Sequence, residues 1–334
     1  MQSLTRLVAV AALAALTACH APSPGLTDVR IALSRDGITW LPVHLAHALG
    51  YDHEEGLEFA LSEVAGMSKG VEALMGGSVD VTAGALAQTI QAASEGAAMR
   101  CFMNLYTRPI LALAVAPGMT QTVRDVRDLK RRSVGVSAPG SATHQFLNAL
   151  LVAHGLSPED VSAVPVGTSA TSVAALEHGK VDAAVLVGSA IPMVKQRNAS
   201  VLFLADTRTP EGARLVFGTD TFSNTSMVAR DRWLRQRGDV PRRFVRAVKK
   251  AMDWMRTQPA DQVRNMMPQD LRMPDAAADL SAIQDAQRVL SIDGAIPAGA
   301  PEQVLKYVAL SSAKVRDSKI DLSQLYTNEY LKND

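Results

Sequence analysis

Apolar and polar positions follow two rhythms along this chain, and the switches between them outline its elements. Residues 29–33, 57–64 and 79–83 place apolar side chains at every second position (Val29, Ile31, Leu33; Leu57, Phe59, Leu61; Val79, Val81, Ala83), the signature of strands. Between them the spacing lengthens to three and four. Residues 40–49 form one such stretch, with Pro42 in the first turn and Gly50 as the stop; 71–75, closed by Gly76-Gly77, and 86–93 form two more. The order β-α-β-α-β-α predicts a parallel sheet covered on both faces.

The same grammar then returns. Residues 110–115 are a continuous apolar run; 132–136 alternate (Val134, Val136) and run through a turn into a helix carrying Phe146, Leu147, Leu150 and Leu151. Residues 161–166, 181–187 and 201–204 read as strands, with a helix at 170–177. Gly179-Lys180-Val181-Asp182 echoes Gly77-Ser78-Val79-Asp80, each following a helix and opening a strand, which suggests two lobes of like construction. A length of 334 residues also favours two lobes over one core. From 225 a strand gives way to helices, with Phe244, Val248, Met252 and Met255 sharing one face and Leu280, Ile283 and Val289 another.

The most informative stretch is 132–146, RSVGVSAPGSATHQF. A strand, a Gly/Pro turn and a helix start leave the first helical N–H groups without intrahelical partners, beside the hydroxyls of Ser141 and Thr143. Donors and helix dipole aimed at one spot suit an anion. An ordinary capped helix uses the same residues.

Composition narrows the class. Hydrophobic residues are 47% and charged residues 20%, with a net charge of +1, so the chain is globular and makes no electrostatic case for nucleic acid. The basic stretch 230–250 is interrupted by Asp231 and Asp239 and reads as a solvated helix face. Residues 1–18 read as a signal peptide: Arg6 precedes an apolar run at 7–16 that is too short to span a bilayer. The ending Leu16-Thr17-Ala18-Cys19 resembles a bacterial lipobox, which implies cleavage before Cys19 and a diacylglycerol on its thiol; 19–27 then reads as a tether. The second cysteine, Cys101, is expected as a buried small hydrophobe.

The motifs, taken in order, resemble the substrate-binding lipoproteins of bacterial ABC importers, in the nitrate/sulfonate/taurine and thiamine-pyrimidine branch. The residues that carry the resemblance are the lipobox ending in Cys19; 71–83 (VEALMGGSVDVTA); Asp128-Leu129-Lys130 ahead of Val134-Gly135-Val136; the turn 137–143; 155–161 (GLSPEDV); and Ala174-Ala175-Leu176 with 179–185. The resemblance implies an α/β, two-lobed, periplasmic-binding-protein-like (type II) clamshell with two hinge crossings, outward near 110–115 and back near 218–225. Residues 28–110 and 225–334 would form lobe 1 with its C-terminal helices, and 111–224 lobe 2. It implies no catalysis and no cofactor. The implied protein is lipid-anchored in the periplasm and monomeric. It captures a small ligand, anionic and sulfonate- or nitrate-like, or pyrimidine-like, for delivery to an ABC permease and its ATPase subunits.

On that reading the ligand lies between the lobes, where loops follow strands. The candidate residues are Arg35, Trp40, Met67, Ser68, Ala85, Tyr106, Arg108, Ser137, Gly140, Ser141, Thr143, His144, Gly188 and Ser189. Arg35 or Arg108 would fork onto an oxyanion, and Trp40 and Tyr106 would pack on the organic part. The chain also departs from the family pattern. Many relatives carry an acidic-proline pair after the strand at 181–187; here Gly188-Ser189-Ala190 follows and proline comes only at Pro192. The cysteine-rich motif of the pyrimidine-synthesising enzymes of this fold is absent.

Three rival readings rest on other residues. Gly66-Met67-Ser68-Lys69-Gly70 fits the G-x-S-x-G nucleophile elbow of hydrolases, with Ser68 as nucleophile, although all seven histidines lie at or before His178. His44 and His47, with His53 and Glu54, would gather metal ligands at one helix end, as in a metal carrier. The same clamshell also serves as the sensing part of a receptor when a separate partner carries the signal.

Overall fold

The computed structural model describes residues 25–34, 37–223 and 225–332. The leader, Cys19, most of the tether and Arg35 lie outside the described residues. The first part of the chain runs β1 (Thr27–Ser34), α1 (Leu41–Ala48), α2 (Tyr51–Glu54), β2 (Leu57–Val64), α3 (Met67–Gly76), β3 (Val81–Gly84), α4 (Leu86–Ser94) and β4 (Met99–Asn104). The middle part runs β5 (Leu111–Val115), β6 (Ser133–Val136), α5 (Ala142–Ala153), β7 (Ser162–Pro165), α6 (Ala170–Glu177), β8 (Ala183–Val187), α7 (Ala190–Arg197), β9 (Phe203–Asp206) and α8 (Pro210–Phe217). The chain then returns through β10 (Ser226–Arg230) to α9 (Asp231–Gln236), α10 (Val240–Thr257), α11 (Ala260–Met266), α12 (Ala276–Val289), α13 (Ala300–Ser311) and α14 (Ala313–Asp317).

The strands form two sheets of five, ordered β2-β1-β3-β10-β4 and β7-β6-β8-β5-β9. The two orders are the same plan: second strand, first strand, third strand, a crossing strand, then an edge. In the first sheet β1 runs parallel to β2 from Thr27↔Leu57 to Ser34↔Val64 and parallel to β3 at Ile31↔Val81. The sheets are not wholly parallel, however. β10 is antiparallel to both β3 and β4, and β5 is antiparallel to β8 and β9. These are the strands by which the chain enters a sheet from the other lobe, so they arrive against the direction set by the β-α-β units. The run 110–115, expected as the outward crossing, is therefore mostly β5, inside the second sheet; the crossing falls between Asn104 and Leu111.

Packing follows the apolar positions. Phe244, Val248, Met252 and Met255 of α10 are fully buried. Phe244 meets Phe59 at a ring distance of 5.0 Å and Phe102 at 5.4 Å; each such burial is worth about 1.5–3 kcal/mol. The polar face of α10 is the basic one, where Arg246 and Lys250 pair with Glu55 at 2.8 and 2.9 Å. Cys101 is buried and its thiol is pushed up to about 12 by desolvation. The C-terminal helices reach across the lobes: α12 packs on α7 and α13 on α5. Arg208 bonds Asp285 of α12 at 2.8 Å, and Phe217 stacks on Phe222 at 4.0 Å with Tyr307 of α13 against both. No described helix is long and apolar enough to cross a membrane.

Candidate functional site

The parallel strands β1, β2 and β6 end at Ser34, Val64 and Val136, facing the gap between the sheets. A cavity of about 40 Å³ lies there. Lobe 1 supplies Ser34, Thr39, Trp40, Gly66, Met67 and Thr225, and the second lobe with the crossing before it supplies Ile110, Leu111, Ser137, Ala142, Thr143, Thr168 and Val187. None of the lining residues among the described ones is charged. As closed here, the space has room for little more than a few waters.

The β6–α5 turn builds its polar wall. Ser141 is the N-cap of α5, its hydroxyl accepting from the His144 N–H. The Ser137 hydroxyl donates to Ser141 Oγ at 2.8 Å, and Thr143 Oγ1 lies 2.8 Å from both. Thr143 Oγ1 also accepts from the Ser137 N–H at 2.8 Å. Three buried hydroxyls thus form a closed triangle that fixes the turn. The N–H groups of Ala142 and Thr143 have no partner among the described residues and belong to the cavity wall. Across the gap, Gly66 is the N-cap of α3, so close that a Cβ there would lie 3.2 Å from Ala138 Cβ. Two helix N-termini therefore converge on one small space, and their dipoles favour negative charge there with no cationic side chain among the described lining residues. Trp40 provides an apolar wall, its indole N–H donating to Ser34 Oγ at 2.6 Å.

A wider groove of about 530 Å³ shares Thr168 with the cavity and continues past Ala65, Ser169, Ser189 and Arg272. Ser169 Oγ lies 3.1 Å from Ser189 Oγ, and Ser169 holds a left-handed φ of +52° at the start of α6. Such strain in a non-glycine residue is common where a loop serves a ligand. The Arg272 guanidinium donates to the carbonyls of Asn265 and Met267.

The expected residues thus fall into groups. Trp40, Met67, Ser137 and Thr143 line the cavity, Ser141 stands directly behind it, and Ser189 lines the groove. Tyr106 does not face the cavity: it is buried, and its hydroxyl donates to the Ile38 carbonyl at 2.9 Å. Arg108 is turned away, its guanidinium donating to the carbonyls of Arg208 and Asp220 at 3.3 and 3.2 Å. Ala85 is a buried N-cap of α4 outside the lining. Gly140 is exposed, and its N–H donates to His144 Nδ1 at 3.0 Å, which folds the imidazole back on its own turn; burial holds His144 below the usual imidazole range. Gly188 spends its N–H on the Ile110 carbonyl at 3.1 Å. Ser34 and Thr39 belong to the loop 34–40 that follows the first strand, where the sequence places a cleft wall, whereas sequence reasoning missed Thr168. Thr168 stands in Gly167-Thr168-Ser169 between β7 and α6, the same strand-turn-helix signal as Ser141.

The rival sites look different in three dimensions. Ser68 is in the first turn of α3, and no histidine bonds its hydroxyl among the described residues. Both glycines of its motif have packing reasons: Gly66 touches lobe 2, and a Cβ on Gly70 would collide with Thr82 Oγ1. His44 is buried inside lobe 1, where desolvation pushes its imidazole down to about 4, and Glu54 pairs with Lys250 at 3.1 Å. The four expected metal ligands are therefore not brought together, although His47 and His53 approach Glu58.

Comparison with known proteins agrees with this architecture. A structure from Bordetella bronchiseptica RB50 is 29% identical, with a TM-score of 0.86 over 91% of this chain and 96% of that one. The periplasmic aliphatic sulphonate binding protein SsuA from Escherichia coli is 20% identical, with a TM-score of 0.68 over 92% of this chain and 99% of that one. Its likeness places the two lobes in the periplasmic-binding-protein fold. The 4-amino-5-hydroxymethyl-2-methylpyrimidine phosphate synthase THI12 of Saccharomyces cerevisiae is 25% identical over 244 residues, 68% of this chain and 69% of that protein. The family model described as NMT1/THI5 like matches residues 38–262, and the chain belongs to that family.

Proposed function

We propose that this chain is the solute-binding protein of an ABC importer. It is exported to the periplasm, held at a membrane by lipid on Cys19, and works as a monomer that carries a small ligand to a permease and its ATPase subunits. The observation that carries this reading is the inter-lobe cavity, lined both by Ala142 and Thr143, whose N–H groups have no partner among the described residues, and by the apolar Trp40, Met67 and Val187. Such a lining suits a ligand with a polar or anionic end and a carbon face. Sulfonates fit this description, and so does a pyrimidine. The lobes open to admit the ligand and close on it, the closed form being favoured by the ligand's differential affinity.

A thermal-shift screen with sulfonates, nitrate, pyrimidines and carboxylates, followed by solution scattering, tests the proposal. The right class stabilises the folded chain by about 2.7 kcal/mol at a hundredfold excess over its dissociation constant, which raises the melting midpoint, and it compacts the protein. If no solute shifts the midpoint or the radius of gyration, the carrier reading fails.

The identity to pyrimidine phosphate synthases favours a second reading, in which the bound molecule is transformed. Against it stands Cys101, the one cysteine among the described residues, which is buried with its thiol held protonated. Mass spectrometry of the ligand after incubation separates the two: unchanged ligand supports carriage, and a new product supports catalysis.

A further inference from the structure

The outer edge of lobe 1 carries a second constellation, remote from the cavity. His47 is in the last turn of α1, His53 in α2, and Glu58 is the second residue of β2. A ring nitrogen of each histidine and a carboxylate oxygen of Glu58 lie within 4.8 Å of one another. His53 Nε2 is 2.9 Å from Glu58 Oε2, and the two rings stand edge-on at 5.9 Å.

Behind them sits Asp52, fully buried. Its Oδ1 accepts from the His53 N–H at 2.9 Å, and its Oδ2 from the Phe59 N–H at 3.1 Å. The same Oδ2 lies 2.7 Å from His47 Nδ1. A carboxylate anchored by two backbone donors thus orients His47 and leaves its Nε2 as the uncommitted ring nitrogen. This is the outer-shell support that metal-binding imidazoles use. His47 and Glu58 both line a groove of about 490 Å³ that is open to solvent. Arg30, in the same groove, is neutralised by two 2.9 Å contacts to Asp80.

We propose that His47, His53 and Glu58 form a binding site for one zinc-class divalent cation, with Asp52 as the supporting carboxylate. Two imidazoles and a carboxylate with a fourth position open to solvent is a donor set that zinc accepts. Glu58 and Val64 stand at opposite ends of β2, about 20 Å apart at strand rise, so the metal would not be the carried ligand. It would instead tie α1, α2 and β2 together.

Zinc titration of the purified chain without a histidine tag tests the proposal, read by calorimetry and by the visible spectrum of a cobalt-substituted sample. The expected result is one saturable equivalent, with affinity falling in His53→Ala and in Glu58→Gln by more than the roughly 10- to 100-fold that loss of a supporting partner costs, and unchanged in His178→Ala. A tetrahedral cobalt spectrum, lost in the same two variants, would accompany it. His53 is largely exposed, so His53→Ala should fold, and a circular dichroism melt without metal verifies this. Absence of saturable binding, or affinity and spectrum unchanged in the folded His53→Ala variant, overturns the proposal.

Discussion

Asp80 and Asp182 make the same contact, one in each lobe. Asp80 precedes β3, its Oδ2 accepting from the Arg30 N–H at 3.2 Å while its own N–H donates to the Arg30 carbonyl at 2.9 Å. Asp182 precedes β8, its Oδ2 accepting from the Ser133 N–H at 2.8 Å and its N–H donating to the Ser133 carbonyl at 2.9 Å. Each aspartate ties the first strand of a lobe to the third. This is the physical content of the Gly-x-Val-Asp echo.

Replacing Asp182 by alanine therefore strips the acceptor from both the N–H and the hydroxyl of Ser133. A loss of about 1–3 kcal/mol is expected. It should appear in urea unfolding as a lower midpoint with an unchanged slope. An unchanged midpoint would mean that water replaces the carboxylate without cost.

Much of the fold is legible in the sequence because both lobes repeat one alternation of periods, two for strands and three to four for helices. What escapes is set by pairing across the chain. β4 carries Arg100 and Asn104 among apolar residues and gives no clear alternation; its place beside β10 makes it a strand. Strand direction has no periodic signature either, so the antiparallel β5 and β10 could not be read. The same holds at the site. Ser137, Ser141 and Thr143 lie within seven residues, and their local bonds follow from the turn. Tyr106 and Arg108 each choose partners far along the chain, Ile38 for one and Arg208 and Asp220 for the other. No local pattern records those choices.

Thr143→Val removes one corner of the hydroxyl triangle at nearly constant volume. The buried Ser137 N–H then loses its acceptor, which costs about 1–3 kcal/mol. The turn that presents the Ala142 and Thr143 N–H groups also loosens. Both a lower melting temperature and weaker ligand binding are expected, whereas Thr143→Ser should keep most of each. If valine bound ligand as tightly as threonine, the triangle would have no part in the site.

His44 sets a pH dependence whose sign follows from burial. Desolvation, opposed by Asp270 and aided by His47, lowers its pKa from 6.5 to about 4. Between those values the unfolded chain holds a proton that the folded chain does not, so stability falls as pH drops from 6.5 toward 4. The full contribution is about 3 kcal/mol. Urea unfolding in metal-free buffer at pH 5 and pH 7 should show a smaller difference for His44→Gln than for the parent chain. An equal difference in both would assign the pH dependence to other groups.

The last prediction concerns closure. Gln145 of α5 donates to Gln91 Oε1 of α4 at 2.7 Å, joining the two lobes with one bond. Opening the lobes must break it, so its energy belongs to the closed form alone. Gln91→Ala removes the acceptor and leaves a buried amide on α5 with one partner fewer. At about 1 kcal/mol, the loss lowers ligand affinity about fivefold. The change should fall on the dissociation rate, because the bond forms after encounter. Asp285→Asn weakens another inter-lobe tie, to Arg208, and its effect should add to the first because the two contacts share no residue. Stopped-flow release of the ligand found in the thermal screen measures both. Release rates equal to the parent's in the double variant would show that these contacts do not hold the lobes together, and closure would then rest on the cavity walls, the Phe217–Phe222–Tyr307 stack and the packing of α12 on α7 and of α13 on α5.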